Sequence, residues 1–257
     1  MKQTRTMWDM PVTVEIADVH AEQSDIDGIF EYFLHVDSVF STFRTDSEVS
    51  RINRCGVPPR AWSAEFREVI ALCDRTEKET MGYFSCRRNG EYHPLGMVKG
   101  WALHHAGQTL DAKGYRNFFV EAGGDIAIRG RNSHGEKWRV GIRSPFQREE
   151  VVKVLSLSDC GIATSGTYVR GRHIYNPVTE KTPDEIVSIT VIGPNIYEAD
   201  RFATAAFAMG RSGISFIEQM KNLEGYQIDR NGIATFTSGF AGFVHSYDYH
   251  QLDRPIA

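Results

Sequence analysis

Two segments of this chain combine residue types suited to a divalent cation and a phosphate. In EADRFATAAFAMG (198–210), Asp200 and Thr204 are four residues apart, on one face of a helix near its start. In HPLGMVKGWA (93–102), Gly96 lets a backbone carbonyl approach a cation and Lys99 offers a point charge to a phosphate. Oxygen ligands beside a lysine suit Mg²⁺ and a phosphate. Taken alone, each pattern is more typical of an ordinary helix surface than of a ligand site.

A third segment, TSGTYVRGRHIYNP (164–177), contains a candidate proton acceptor. His173 lies between an arginine and an apolar residue, where a neutral imidazole can act as a general base near pH 7. The alternative is a strand histidine bonded to backbone. The chain has neither a GxxxxGK[ST] phosphate loop nor a G-x-S-x-G elbow, so neither of those two site types is indicated.

Composition excludes some function classes. The 257 residues are 41% hydrophobic and 24% charged, with a formal net charge of -4, which argues against a nucleic-acid surface. The N-terminal segment lacks an apolar signal core and no stretch is long enough to span a membrane, so a soluble cytoplasmic protein is predicted. The four cysteines form no CxxC pair, and we interpret them as buried free thiols of a reducing cytosol.

The predicted elements favour an α+β fold. Alternation from Val12 to Ile16 predicts a strand, and apolar recurrence from Ile26 to Val36 predicts a helix capped by Ser24. Residues 41–53 are predicted to be mainly loop. Further helices are predicted near 64–80, 99–113, 198–209 and 212–220, and hairpins at 123–124 and 231–232. Because consecutive strands are joined by hairpins rather than by helices, we expect mostly antiparallel sheets with helices packed against them. We expect one domain (1–257) or two intimate subdomains.

In chain order, six segments resemble the motifs of the FAD:protein FMN transferase family, the ApbE-like flavin transferases. The resemblance runs over most of the chain, roughly from residue 10 to 236. Six segments in the right order are far more specific than any one. They are FSTFRTDSEVSRIN, MGYFS, PLGMVKGWA, FFVEAGGDIAIRG, TSGTYVRGRHIYNP and SITVIGPNIYEADRFATAAFAMG.

The resemblance implies an activity. Members take FAD and Mg²⁺, break the pyrophosphate, and join FMN through a phosphoester to a Thr or Ser of an acceptor protein, releasing AMP. It implies magnesium ligation by the Gly96 carbonyl, Asp200 and Thr204, and a catalytic proton acceptor at His173. The residues it implies at the FAD are Phe43, Gly82, Tyr83, Phe84, Ser85, His93, Lys99 and His173.

The chain departs from the family pattern at several acidic positions. Ser85, His93, His104 and Asn176 stand where acidic residues are usual. Two alternatives therefore stay open: an FAD diphosphatase that yields FMN and AMP, and a non-catalytic FAD-binding protein. The expected partners are FAD and the acceptor protein, without nucleic acid or membrane.

Overall fold

An eight-stranded antiparallel sheet forms the centre of the computed structural model, which describes residues 1–147, 149–167 and 175–245. The strands are β1 (Lys2–Met7), β2 (Met10–Ile16), β3 (Arg87–Arg88), β4 (Glu91–Tyr92), β5 (Phe118–Ala122), β6 (Asp125–Arg129), β7 (Trp138–Arg143), β8 (Val151–Leu157), β9 (Cys160–Gly166), β10 (Ile186–Gly193), β11 (Glu224–Asp229) and β12 (Ala234–Phe236). The large sheet has the order β1-β2-β5-β6-β9-β10-β11-β12, while β3-β4 and β7-β8 form separate hairpins. The expected mixture of helices and antiparallel strands is confirmed.

The helices pack against this sheet or against one another. They are α1 (Gln23–Phe40), α2 (Glu48–Cys55), α3 (Ala64–Glu79), α4 (Leu95–Ala112), α5 (Ile196–Ala208) and α6 (Gly213–Gln219). The expected loop is confirmed at 41–47 but wrong at 48–53, where Ser47 caps α2 by accepting a 3.1 Å bond from Ser50 N–H. The expected cap at Ser24 is also wrong, since α1 starts earlier, after Glu22, which makes no side-chain cap bond. Within the described residues, no helix has the length and apolar character needed to cross a membrane.

Two hydrophobic clusters lie on opposite faces of the sheet. Ala163 belongs to the cluster covered by α1, α4 and α5, whereas its neighbour Ile162 belongs to the cluster beneath the β7-β8 hairpin. Val191 and Ile192 divide in the same way. Because successive side chains in a strand point to opposite faces, this alternation fixes which residues of β9 and β10 face the helices.

Helix α5 begins directly against strand β9. A Cβ added at Gly161 would lie only 2.1 Å from the Ile196 backbone nitrogen. Only glycine permits this approach, which sets the position of α5 on the sheet.

A disulfide joins Cys73 of α3 to Cys86, so the expectation of four free thiols is wrong for this pair. The other two cysteines are free: Cys55 is exposed and Cys160 is buried. The pairing was missed because the two residues are separated by 13 positions and meet only when the chain turns back after α3. The bond closes a covalent ring around the 81–85 loop.

Replacing both disulfide cysteines by alanine is expected to lower the free energy of unfolding by about 3 kcal/mol, because a ring of this size restricts the unfolded chain. Urea denaturation of the double variant measures the change. Cys160→Ala, which removes a buried thiol without a disulfide, is the matched control. If the double variant and wild type have equal stability, the bond does not contribute.

Candidate functional site

Helices α4 and α5 bring the predicted cation-binding residues together. A Cβ added at Gly96 would lie 3.8 Å from Thr204 Cγ2, and one added at Gly100 would lie 2.7 Å from Asp200 Cβ. Gly96 is exposed, Thr204 is half-buried and Asp200 is buried. The glycines on α4 remove the side chains that would otherwise separate the two helices, so the positions of Gly96, Thr204 and Asp200 line one contact.

One hydrogen bond connects the two helices at this contact. Gly100 N–H donates to Asp200 Oδ2 at 2.8 Å. In a regular α-helix, the Gly100 N–H is the donor assigned to the carbonyl of Gly96. The Asp200 carboxylate therefore accepts from the N–H group that would otherwise bond the Gly96 carbonyl. Asp200 thus lies one helical turn of α4 away from Gly96.

Asp125 is a site residue that sequence reasoning missed. It is 1% exposed at the start of β6, and its Oδ2 forms an ion pair with the Lys99 ammonium. Its Oδ1 accepts a 3.0 Å bond from Thr164 N–H on β9. The available signal was the Gly123-Gly124-Asp125 sequence, which predicted a backbone turn close to another chain or to a ligand but no role for the Asp125 side chain. Lys99, predicted to contact a phosphate, thus has a buried carboxylate as its partner.

The electrostatics of Asp200 differ from those of a surface carboxyl. Burial raises the pKa of Asp200 to about 7, opposed by the Lys99 charge and reinforced by the nearby Asp125. Two buried carboxylates therefore share one ammonium, and among these three side chains the negative charges exceed the positive by one when both carboxylates are ionised. Such an arrangement favours either a proton or an added cation at Asp200.

The donor set is one of oxygen atoms rather than of imidazoles or thiolates. Across residues 1–147, 149–167 and 175–245, no group of three or more His, Cys, Asp or Glu side chains is arranged to hold a metal ion. The proposed donors are instead a backbone carbonyl, a carboxylate and a hydroxyl. They match the preference of small hard cations, which bind one or two carboxylates and retain water or phosphate oxygens.

The residues predicted to contact the nucleotide fall into two groups. Phe84 is buried, its N–H donates to Thr80 Oγ1 at 3.1 Å, and a Cβ on Gly96 would lie 3.7 Å from its ring. Phe84 therefore supports the start of α4. Its neighbours Gly82, Tyr83 and Ser85 are half-buried.

Two further predicted nucleotide contacts are exposed. Phe43 is 87% exposed, in the turn between α1 and α2. The ring of His93 lies 3.5 Å from the carboxylate of Glu91, just before α4. Neither side chain belongs to the hydrophobic core, so both are accessible to a ligand. His173, the predicted proton acceptor, lies outside the described residues.

The ApbE family model matches residues 6–88 and 94–227. The chain belongs to the ApbE family. This confirms the resemblance inferred from the six segments, and the ApbE match includes the carbonyl, carboxylate and hydroxyl positions on α4 and α5.

Relatives of this ApbE chain include an FAD:protein FMN transferase of Haemophilus influenzae, 30% identical over 270 residues, covering 79% of this chain and 78% of the relative. The Salmonella typhimurium protein of that name is 31% identical over 148 residues, covering 50% of this chain and only 42% of its own length. The alignment with this relative thus spans less than half of it.

Solved ApbE structures share the fold. The flavin transferase ApbE from Vibrio cholerae has a TM-score of 0.81 at 23% identity, covering 95% of this chain and 98% of that chain. The ApbE protein from Thermotoga maritima has a TM-score of 0.85 at 21% identity, covering 96% and 99%. At these identities, the likeness concerns the fold alone.

Proposed function

We propose that this chain transfers FMN from FAD to a Thr or Ser of an acceptor protein through a phosphoester bond, releasing AMP, with Mg²⁺ as cofactor. The observation that carries the proposal is the α4–α5 contact, where the Gly96, Asp200 and Thr204 positions meet beside Lys99. Membership of the ApbE family supports the same reaction, as do relatives named FAD:protein FMN transferase.

The charges of the site support a divalent cation. The Asp200 and Asp125 carboxylates face one ammonium, that of Lys99. A cation held by Asp200, the Thr204 hydroxyl and the Gly96 carbonyl would reverse the net charge of this group and make it attractive to a diphosphate. When bound, Mg²⁺ supplies charge stabilisation for the phosphate oxygens.

The transfer step exchanges one phosphorus–oxygen bond for another and needs no oxidant or reductant. The acceptor hydroxyl oxygen forms a bond to the FMN phosphorus, and the bond from that phosphorus to the AMP oxygen breaks. His173 takes the hydroxyl proton, and AMP leaves with the electron pair of the broken bond. Lys99 contributes positive charge beside the diphosphate, where its ammonium is already held by Asp125.

Product analysis separates the proposed reaction from its alternatives. The protein is incubated with FAD, Mg²⁺ and a candidate acceptor, and AMP and protein-bound flavin are measured. Labelled acceptor and AMP in equal amounts are expected. AMP and free FMN without labelled acceptor would identify an FAD diphosphatase. FAD retained by the protein with neither product would identify a binding protein.

Replacing His173 by alanine is expected to slow FMN transfer by about 10²- to 10⁴-fold while FAD binding is retained, because general base catalysis typically contributes that much. Single-turnover AMP release and FAD fluorescence titration measure the two quantities. His134→Ala, at an exposed position, is the control. An unchanged transfer rate would exclude His173 as the base.

Replacing Phe43 by alanine is expected to weaken FAD binding by about 1–3 kcal/mol, the usual contribution of an aromatic ring stacked on a base-like ring. Because Phe43 is 87% exposed, the stability of the protein should be unaffected. Phe146→Ala, at a ring 55% exposed, is the matched control. Equal FAD affinities of wild type and Phe43→Ala would remove Phe43 from the flavin site.

The cytoplasmic location stays a prediction, and the Cys73–Cys86 disulfide argues against it. Disulfides persist mainly in oxidising compartments, whereas cytosolic thiols are kept reduced. Cell fractionation, followed by thiol labelling of the denatured protein before reduction, tests both points. A cytosolic protein with four labelled cysteines would support the sequence-based expectation.

A further inference from the structure

Asp125 lies beside the proposed cation ligand Asp200, but neither the proposed cation donors nor the predicted nucleotide contacts include it. Its carboxylate is 1% exposed, and desolvating such a charge is unfavourable unless it is paired. One oxygen is fixed by Thr164 N–H of the neighbouring strand at 3.0 Å, and the other faces the Lys99 ammonium. The sheet therefore holds Asp125 rigidly, and Asp125 in turn holds a flexible lysine.

The location of Lys99 determines what Asp200 can bind. Lys99 and Gly100 are neighbours on α4, and Gly100 N–H already donates to Asp200. An ammonium at this position is attracted by both carboxylates. If Lys99 paired with Asp200 instead, it would occupy the oxygen lone pairs that a cation needs. Its ion pair with Asp125 draws the ammonium toward the sheet, so Asp200 is not the sole carboxylate partner of Lys99.

We propose that Asp125 is a positioning residue for the transfer reaction, acting through Lys99 to keep the Asp200 carboxylate available to a divalent cation. The inference rests on the proposed function, because it takes Asp200 as a cation ligand. It makes a prediction that a merely structural role for Asp125 does not: the effect of removing its charge depends on whether Lys99 is present.

The charges of the three side chains give the expected signs. Wild type has two carboxylates and one ammonium, Asp125→Asn has one of each, and Lys99→Met has two carboxylates alone. The double variant returns to the single net negative charge of wild type. Net charge alone would make Asp125→Asn weaken cation binding by the same factor with and without Lys99, so the positioning role is the part of the loss that disappears in the Lys99→Met background.

Binding of Mn²⁺ alone, measured by electron paramagnetic resonance without FAD, tests the inference. Asp125→Asn is expected to weaken binding at least tenfold relative to wild type, Lys99→Met to bind at least as tightly as wild type, and the double variant to lie within about threefold of Lys99→Met. Asp111→Asn, which removes a carboxylate with a 44% exposed side chain, controls for overall charge and should change nothing. Circular dichroism verifies the fold of each variant.

Other outcomes would overturn the inference. Weakening by the same factor when Asp125→Asn is introduced into wild type and into Lys99→Met would show that Asp125 acts independently of Lys99. Should Asp125→Asn fail to fold, weaker binding in Lys99→Met than in wild type would refute the inference by itself. Asp200→Asn separates the two levels: unchanged Mn²⁺ binding there would refute the proposed cation site, and the inference with it.

Discussion

Asp200→Asn is expected to reduce AMP release from FAD by at least about a thousandfold, equivalent to about 4 kcal/mol of lost transition-state stabilisation. Asparagine retains an oxygen that can accept the 2.8 Å bond from Gly100 N–H, so the contact between the helices is preserved. The negative charge is removed, and the cation loses its proposed carboxylate ligand. Quantification of AMP under single-turnover conditions measures the loss.

The same substitution is expected to stabilise the cation-free protein at alkaline pH. The folded-state pKa of Asp200 is raised to about 7 by burial, above the value of 3.8 usual for the free side chain. The folded state therefore holds an additional proton between these values, and stability decreases as pH rises through the folded pKa. Asparagine does not ionise, so its advantage in unfolding free energy should be present at pH 8 and vanish near pH 4.

Thermal unfolding with and without Mg²⁺ links the two effects. At pH 8, Mg²⁺ should stabilise wild type but leave Asp200→Asn unchanged, because ligand binding to the folded state alone raises stability. Asp111→Asn is the control for removal of a surface carboxylate. The proposed cation site would be refuted if Asp200→Asn kept full activity and were stabilised by Mg²⁺ as much as wild type.

Gly100→Ala is expected to lower transfer activity about a hundredfold or more and to reduce stability by about 1–3 kcal/mol. The new Cβ would lie 2.7 Å from Asp200 Cβ and 3.1 Å from the Ile196 carbonyl oxygen. Backbone and carboxylate cannot both move away without separating α4 from α5, and a displacement of about 1 Å at a catalytic site costs about a hundredfold in rate.

Gly107→Ala on the same helix provides the comparison. Its Cβ would meet the Phe118 ring at 3.6 Å and Ala127 Cβ at 3.9 Å, which are ordinary contacts. Both variants gain the same helix propensity, so the difference between them isolates the α4–α5 contact. Equal unfolding free energies and equal rates for the two variants would show that this contact tolerates a side chain.

The regular elements with strong apolar periodicity were predictable from the sequence. The helix over Ile26–Val36 and the hairpin at Asn231-Gly232 follow from local patterns, and the structure contains both. Helix α2 was not predicted because its eight residues bury only Val49 and Ile52, too few for a visible period. The strand Lys2–Met7 escaped notice because its exposed and half-buried residues carry no apolar alternation.

Site residues that are close together in the sequence were predictable, whereas contacts between residues far apart in the sequence were not. Asp200 and Thr204 share one helix, so their spacing indicated a common face. Asp125 meets Lys99 only because β6 and α4 are packed together, and no spacing in the sequence encodes that meeting. The Cys73–Cys86 bond was hidden for a similar reason.

The absence of a side chain at Gly161 constrains how this sequence can diverge. In a library carrying every codon at that position, selection for folded protein should return glycine almost alone, since even alanine collides with the start of α5. At Gly28, where a Cβ would meet nothing within 4 Å, the same selection should return many amino acids. Substitutions should therefore be tolerated at Gly28 on the outer surface of α1 and rejected at Gly161, where β9 passes under α5.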